Sequence, residues 1–314
     1  MSPSSPFNRL EVVERTGSTN TDLRRALSGP DGLLDPDAAA SWPHMSALRA
    51  ITQTAGRGRA EHAWTTPPAG ALTASIVLRP LVPAKRLAWL PLLVGLAVSR
   101  ALAPRLESVG WATATKWPND VIAVPIPDTP APEDLPGWGS GRKLAGILTE
   151  LIAPAGFGSE APQAEAGAGV GAACDRRRAA AVVVGIGVNL FQPAGDMPVP
   201  WAASLTSLGA PVNADDPAAV LNECGWQLAR LLPVWERVCG DPDAGDGLLG
   251  AELRSSCATL GQTVRVTGAD GELTGTAVDL NPSLVLEVHD DGPPHRAVVT
   301  AGDVVRVRAA GSGV

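Results

Sequence analysis

"AAAVVVGIGVNL", residues 179–190, is the stretch on which the fold turns. Its apolar residues run almost without interruption, the pattern of a strand buried on both faces, so it is predicted to lie at the centre of a sheet. Gly185 and Gly187 remove side chains in the middle of that strand, and Asn189 puts an amide at its end. Close packing or a surface cleared for a ligand would each account for them.

Working outward, "KLAGILTELIA" (143–153), "ATATKWPNDVIAV" (112–124), "ALTASIVLRP" (71–80), "ALRAITQ" (47–53) and "LEVVER" (10–15) read as further strands. Ser18, Thr19 or Asn20 can cap a helix over "TDLRRAL", and residues 28–45 read as a loop from their Gly, Pro and Asp. A buried helix is predicted from Lys85 to about Leu106, with Pro91 in its first turns, and two more over 217–239 and 251–259. Two low-complexity inserts, Pro-rich 125–141 and Ala/Gly-rich 153–173, are expected to be exposed or disordered. After Gly261 five short strands separated by turn residues suggest a small barrel. The expected division is a catalytic unit over 1–260 and a barrel over 261–310.

Composition narrows the function. The 314 residues carry 32 acidic against 25 basic side chains, a formal charge of -7, which argues against a general nucleic-acid binder. The N-terminus lacks the apolar core of a secretory signal, and the apolar run Leu87–Val98 is too short to span a bilayer, so a cytoplasmic protein without a membrane partner is expected. Four cysteines without a CxxC pair and four histidines without a ligand spacing signal neither disulfides nor zinc. Arginine outnumbers lysine 22 to three, so Lys85, Lys116 and Lys143 stand out as positions where a compact ammonium has been kept.

Two of those lysines fall in chemical motifs. "KWPND" (116–120) gathers an ammonium, an indole, an amide and a carboxylate; Lys116 could face phosphate while Asn119 and Asp120 hold magnesium. Pro-Asn-Asp is also ordinary turn chemistry. In "GRKLAGILTE" Lys143 precedes Ala145 and Gly146, which leave room for a flat ligand or simply pack well. "QTAGRGR" (53–59) sets Arg57 and Arg59 in a glycine-rich loop before Trp64, suited to closing over an anion or merely solvated. A Walker-type phosphate loop is absent, and "GIGVNL" has only two of the three dinucleotide-binding glycines.

Taken in order, STN, QTAGRGR with its following Trp, KWPND, RKLAGIL and GIGVNL resemble the biotin protein ligase family over residues 10–308. The resemblance implies an α+β fold: a mixed or antiparallel sheet with helices, of the class II aminoacyl-tRNA synthetase-like biotin/lipoate ligase type, plus a small C-terminal SH3-like β-barrel. It implies activation of biotin with ATP and Mg2+ to biotinyl-5'-adenylate, then transfer to a lysine of the biotin carboxyl carrier domain of an acyl-CoA carboxylase.

By the same resemblance Arg57, Arg59, Lys143 and Lys116 are catalytic. Ser18, Thr19, Asn20, Gln53, Arg57, Gly58, Arg59, Lys143, Gly146, Leu148, Gly185 and Gly187 meet biotin. Trp64, Lys116, Asn119 and Asn189 meet the nucleotide, and Asn119 with Asp120 the metal. The usual pattern has Gly and Arg where this chain has Glu61 and His62, which bears on how tightly the adenylate is kept. Ser18 stands too near the start for a preceding DNA-reading domain, so a monofunctional enzyme, monomer or homodimer, is expected. A lipoate or octanoate ligase on the same scaffold, or a non-catalytic sensor of biotin or its adenylate, remain the competing readings.

Overall fold

The structure, a computed structural model, describes residues 5–59, 63–65, 70–130, 132–157, 175–268, 271–289 and 293–307. Seven strands form its main sheet: β1 (Arg9–Thr16), β2 (Ser46–Gln53), β5 (Ala71–Leu78), β6 (Trp111–Lys116), β7 (Asp120–Pro125), β8 (Arg142–Ile152) and β9 (Ala181–Asn189). Between β2 and β5 a small hairpin pairs β3 (Gly56–Arg57) with β4 (Ala63–Trp64). The strand order of the main sheet is β1-β2-β5-β9-β8-β7-β6; β1 and β2 run parallel and the other neighbours antiparallel. The predicted central strand is β9, flanked by β5 and β8, and Val182–Val184, Ile186 and Val188 are all buried.

Helices cover both faces. On one lies α3 (Leu90–Glu107), continuing a 3-10 turn at Ala84–Trp89, with α4 (Asp216–Arg237) against it. Apolar residues surround most of α3 because sheet and α4 enclose it, as expected of a helix inside a core. It is also the described helix that is long and apolar enough to cross a membrane, and here it is packed in the core. On the opposite face α1 (Thr19–Leu27) buries Leu23 and Leu27 against Leu48, Val77 and Val183. Burial of such a leucine contributes about 2 kcal/mol.

Three expectations change. The single strand over 112–124 is a hairpin of β6 and β7, because Pro118 offers no backbone N–H to continue a ladder. The predicted loop 28–45 contains a one-turn helix, α2 (Ala38–Ser41), beside the buried Leu34 and Trp42. The Pro-rich segment is tied down over its described part: Leu135 bridges Gly139, Gly137 bridges Arg306, and Trp138 stacks on Trp201 with centroids 5.9 Å apart. The stacked rings add buried surface to these bridges. Most of the Ala/Gly-rich insert, 158–173, lies outside the described residues.

After α5 (Leu248–Ser255) come β10 (Thr263–Gly268), β11 (Gly271–Leu280), β12 (Leu284–Val288), β13 (His295–Val299) and β14 (Asp303–Arg306). They form an antiparallel sheet in the order β13-β12-β11-β10-β14. Its buried Val264, Leu280, Leu286 and Val304 join the same apolar cluster as α3 and the main sheet. Arg254 on α5 locks it further, donating to the Asp279 carboxylate at 2.6 Å and the Leu280 carbonyl at 2.8 Å.

Candidate active site

Strand register assembles the site. One rank crosses the sheet from Thr73 on β5 to Gly187, Gly146, Asp120 and Lys116; the next carries Ser75, Gly185 and Leu148. Residues level across neighbouring strands share a face. Motifs far apart in the chain therefore open onto one cavity of about 350 Å³, at the N-terminal end of α1. Every site residue expected from the sequence lines that cavity except Asn189.

The α1 end is polar. Ser18 caps the helix by accepting from the Thr21 N–H, and the Thr19 N–H donates to Gln53 Oε1 at 3.0 Å. Ser75 Oγ donates to Asn20 Oδ1 at 2.6 Å and lies 2.7 Å from Thr19 Oγ1. Asn20 Nδ2 donates to Glu150 at 2.8 Å. Ser18, Thr19, Asn20, Thr73 and Ser75 are all buried, so this network holds neutral donors and acceptors away from water, where each is selective for its complement.

Cationic side chains line the rest of the cavity. Arg57, half-exposed on the β3–β4 hairpin, lies 3.5 Å from Glu150, and Arg59 reaches Asn119 Oδ1 at 3.5 Å. Lys143 Nζ is 2.7 Å from Asp120 Oδ1. Lys116 donates to the Val304 carbonyl at 2.8 Å and sits 4.5 Å from the centre of the Trp138 ring. Burial holds the Lys116 ammonium below the usual lysine range; Asp120 offsets part of that, and Lys143 adds to it.

Several of the expected site residues also make contacts within the protein. A Cβ on Gly187 would meet Trp64 Cε2 at 2.5 Å, and one on Gly146 would meet Trp64 Cζ3 at 3.0 Å. A Cβ on Gly185 would meet Asn20 Oδ1 at 2.5 Å. These glycines line the cavity and also make room for a protein indole and amide. Asn189 is buried beside the cavity, donating to the Ala203 carbonyl at 3.1 Å and accepting from Gln192 at 3.3 Å. Each end of its amide makes one internal bond, which leaves one N–H and one lone pair.

Asn119 and Asp120, whose oxygens are expected to hold magnesium, make contacts within the protein. The Asn119 amide donates to the Ile147 carbonyl at 2.7 Å and turns its oxygen to Arg59, while Asp120 turns one oxygen to Lys143. Among the described residues no group of three His, Cys, Asp or Glu is placed to hold a metal. Glu61 and His62 lie outside the described residues.

The sequence reading missed Glu150, Trp138, Trp201 and the β14 segment Asp303–Val305. The last five of these line the cavity. Glu150 follows directly on the RKLAGIL motif, and its alternation with Leu148 on β8 was a usable signal. Trp138 sits in a stretch whose composition reads as loop, and β14 is distant in sequence.

Comparison with known proteins bears on the family and the fold. Residues 13–170 match the biotin/lipoate A/B protein ligase family. The chain is 31% identical over 309 residues to the biotin--[acetyl-CoA-carboxylase] ligase of Mycobacterium tuberculosis, covering 97% of this chain and 91% of that one. It is 30% identical over 166 residues to the bifunctional ligase/repressor BirA of Bacillus subtilis, covering 53% of this chain and 39% of that one. Its fold is similar to that of biotin protein ligase from Aquifex aeolicus in complex with biotin and ATP, with a TM-score of 0.63 at 21% identity over 96% of this chain and 100% of that one.

Proposed function

Because the chain belongs to the biotin/lipoate A/B protein ligase family, we propose that it joins biotin to ATP as biotinyl-5'-adenylate and passes the acyl group to a lysine of the carrier domain of an acyl-CoA carboxylase. The observation that carries this reading is a single cavity with buried neutral hydrogen-bonding groups at one end, Arg59, Lys116 and Lys143 at the other, and Arg57 beside the first through Glu150. A ureido ring needs neutral partners, and a carboxylate meeting a triphosphate needs positive charge.

In the first step a carboxylate oxygen of biotin attacks the α-phosphorus of ATP; the new O–P bond forms as the bond to the β-phosphate oxygen breaks and pyrophosphate leaves. Both reactants are anions. Arg57, Arg59, Lys143 and Lys116 screen their repulsion and stabilise charge on the phosphate as it is attacked. In the second step the acceptor amine attacks the acyl carbon, AMP departs and the amine loses a proton. Trp64 and the glycine-hinged loop around Gly56 and Gly58 cover the mixed anhydride and keep water from it. Magnesium, in this reading, arrives on the triphosphate; no step depends on a protein ion cage.

A lipoate or octanoate chain would set apolar carbon against the remaining polar capacity of the buried Ser18, Thr19 and Asn20 and the partly buried Gln53, which a ureido ring can use. Biotin is therefore the better fit. The test is pyrophosphate release requiring both biotin and ATP, followed by labelling of a carrier domain, with lipoate run in parallel. Turnover with lipoate and none with biotin would reverse the assignment. Replacing Arg57 and Arg59 together with alanine is expected to slow adenylate formation by at least about 100-fold.

A further inference from the structure

The hydrogen-bonding network at the α1 end has a direction, and that direction is set by a residue outside the cavity lining. Glu150 on β8 is largely buried, and its carboxylate faces donors: Asn20 Nδ2 at 2.8 Å, Arg24 Nη1 at 3.2 Å and Arg57 Nη1 at 3.5 Å. A carboxylate only accepts. The Asn20 amide must therefore turn its NH2 group to Glu150, with the Leu148 carbonyl as a weaker partner at 3.4 Å. Asn20 Oδ1 then faces Ser75, which donates to it at 2.6 Å.

A hydroxyl has one hydrogen. Ser75 has spent its hydrogen on Asn20, so Thr19 is the donor in their 2.7 Å contact, with Gln53 Oε1 at 3.3 Å as a second and longer acceptor for the same hydroxyl. With its hydrogen turned inward, Thr19 Oγ1 presents only lone pairs to the cavity. Its backbone N–H is occupied by Gln53 Oε1.

We propose that Glu150 is a positioning residue that sets the polarity of the Asn20–Ser75–Thr19 relay, making this end of the cavity selective for a ligand that offers an N–H to Thr19. The proposal rests on the biotin reading, since a ureido ring offers such an N–H. A ring oxygen in its place would set lone pairs against lone pairs.

The test is equilibrium binding of biotin and of its two cyclic carbamate analogues, each with one ring N–H replaced by oxygen, to wild type, Glu150→Gln, Ser75→Ala and the double variant. Wild type is expected to prefer biotin over one of the analogues by at least about 100-fold. A glutamine at 150 can offer Asn20 either a donor or an acceptor, so biotin should weaken about fivefold and the preference shrink at least tenfold. Ser75→Ala breaks the relay at its middle but leaves Thr19 the longer Gln53 acceptor, so it should shrink the preference in part, and the double variant should be no worse than the poorer single one, as for residues acting in series.

A preference unchanged in Glu150→Gln, or weakening that is equal for biotin and the analogues, overturns the proposal while biotin-dependent turnover by wild type keeps the ligase reading. Should Glu150→Gln fail to fold, a preference retained when Ser75→Ala is combined with Gln53→Ala, which removes both acceptors of the Thr19 hydrogen, overturns it as well. Absence of biotin binding by wild type overturns both.

Discussion

Lys143 Nζ lies 2.7 Å from Asp120 Oδ1, joining the two strands that carry the KWPND and RKLAGIL motifs. The oxygen is buried and receives no aligned hydrogen bond, so the contact is one of charge. An anionic substrate must therefore compete with Asp120 for this ammonium. Lys143→Ala is expected to abolish adenylate formation, a loss of at least about 100-fold in kcat/KM, because the group that screens the two anions is gone. Asp120→Asn should tell competition from support. If Asp120 only competes, KM falls; if it positions Lys143 and neutralises the buried Lys116, kcat falls about tenfold with KM little changed. The second outcome is expected, since Asp120 is the largest influence keeping Lys116 charged against burial. Steady-state kinetics of pyrophosphate release decide it.

Trp64 is held against Gly187 and Gly146, with its indole N–H buried and unpartnered in the structure. A methyl group at 187 cannot coexist with that indole, and β9 is too well buried to move away. Gly187→Ala should therefore expel Trp64 while costing little stability, and its effect should appear as a rise of about tenfold or more in KM for biotin or ATP. Adding Trp64→Leu to Gly187→Ala makes room for the methyl and should leave the double variant no worse than Trp64→Leu alone. A change in tryptophan emission on Gly187→Ala, absent once Trp64 is replaced, reports the displacement directly.

The same glycines show what was legible in the sequence. Period-two spacing put Gly185 and Gly187 on one face of β9, and the resemblance joined them to Gly146 and Leu148; the register places all four over one cavity. What occupies them was not legible, because contact between Trp64 and Gly187 depends on how a loop folds back over the sheet. Asn189 shows the converse. It continues the same alternation, yet the segment Trp201–Ala203 closes over that end of β8 and β9 and takes its amide. Nothing in the spacing of 201–203 announces that path. Trp138 was hidden for a third reason: composition reads Pro-rich 125–141 as unpacked, whereas backbone bridges to Arg306 and within the segment, with the Trp138–Trp201 stack, hold its described part.

Trp138 consequently has a measurable part. Its ring carries the Lys116 ammonium on one side, and it lines the cavity together with Trp201 and Val305. A cation over an indole contributes about 0.5–2 kcal/mol depending on how dry the site is. Trp138→Ala is expected to raise KM for ATP about three- to tenfold, through loss of Lys116 placement, with a fall in Tm of no more than about 4 °C. Trp138→Phe should recover most of the KM effect. Failure of phenylalanine to recover it would mean that the indole acts through contacts other than its face.

The sharpest prediction on stability concerns His44, at the entrance to β2. Its Nδ1 accepts the Arg79 backbone N–H at 3.0 Å, and its pKa is lowered to about 4, first by burial and then by Arg176, with Glu236 pulling the other way and Arg79 adding to the fall. Protonating His44 would cost that hydrogen bond and set a cation among two guanidinium groups. The unfolded chain takes up this proton near pH 6.5 and the folded chain only near pH 4, so between those values the unfolded state binds more protons. Stability from this residue is complete above pH 6.5 and declines as pH falls towards 4, by up to about 3 kcal/mol before solvent screening reduces it. His44→Asn keeps an acceptor and removes the titration. Urea unfolding of both proteins from pH 4 to pH 8 should show the wild-type curve falling more steeply on the acid side and the variant nearly parallel to it above pH 7. Equal slopes between pH 6.5 and pH 4 would mean that His44 is protonated in the folded protein and that Glu236, rather than burial, governs it.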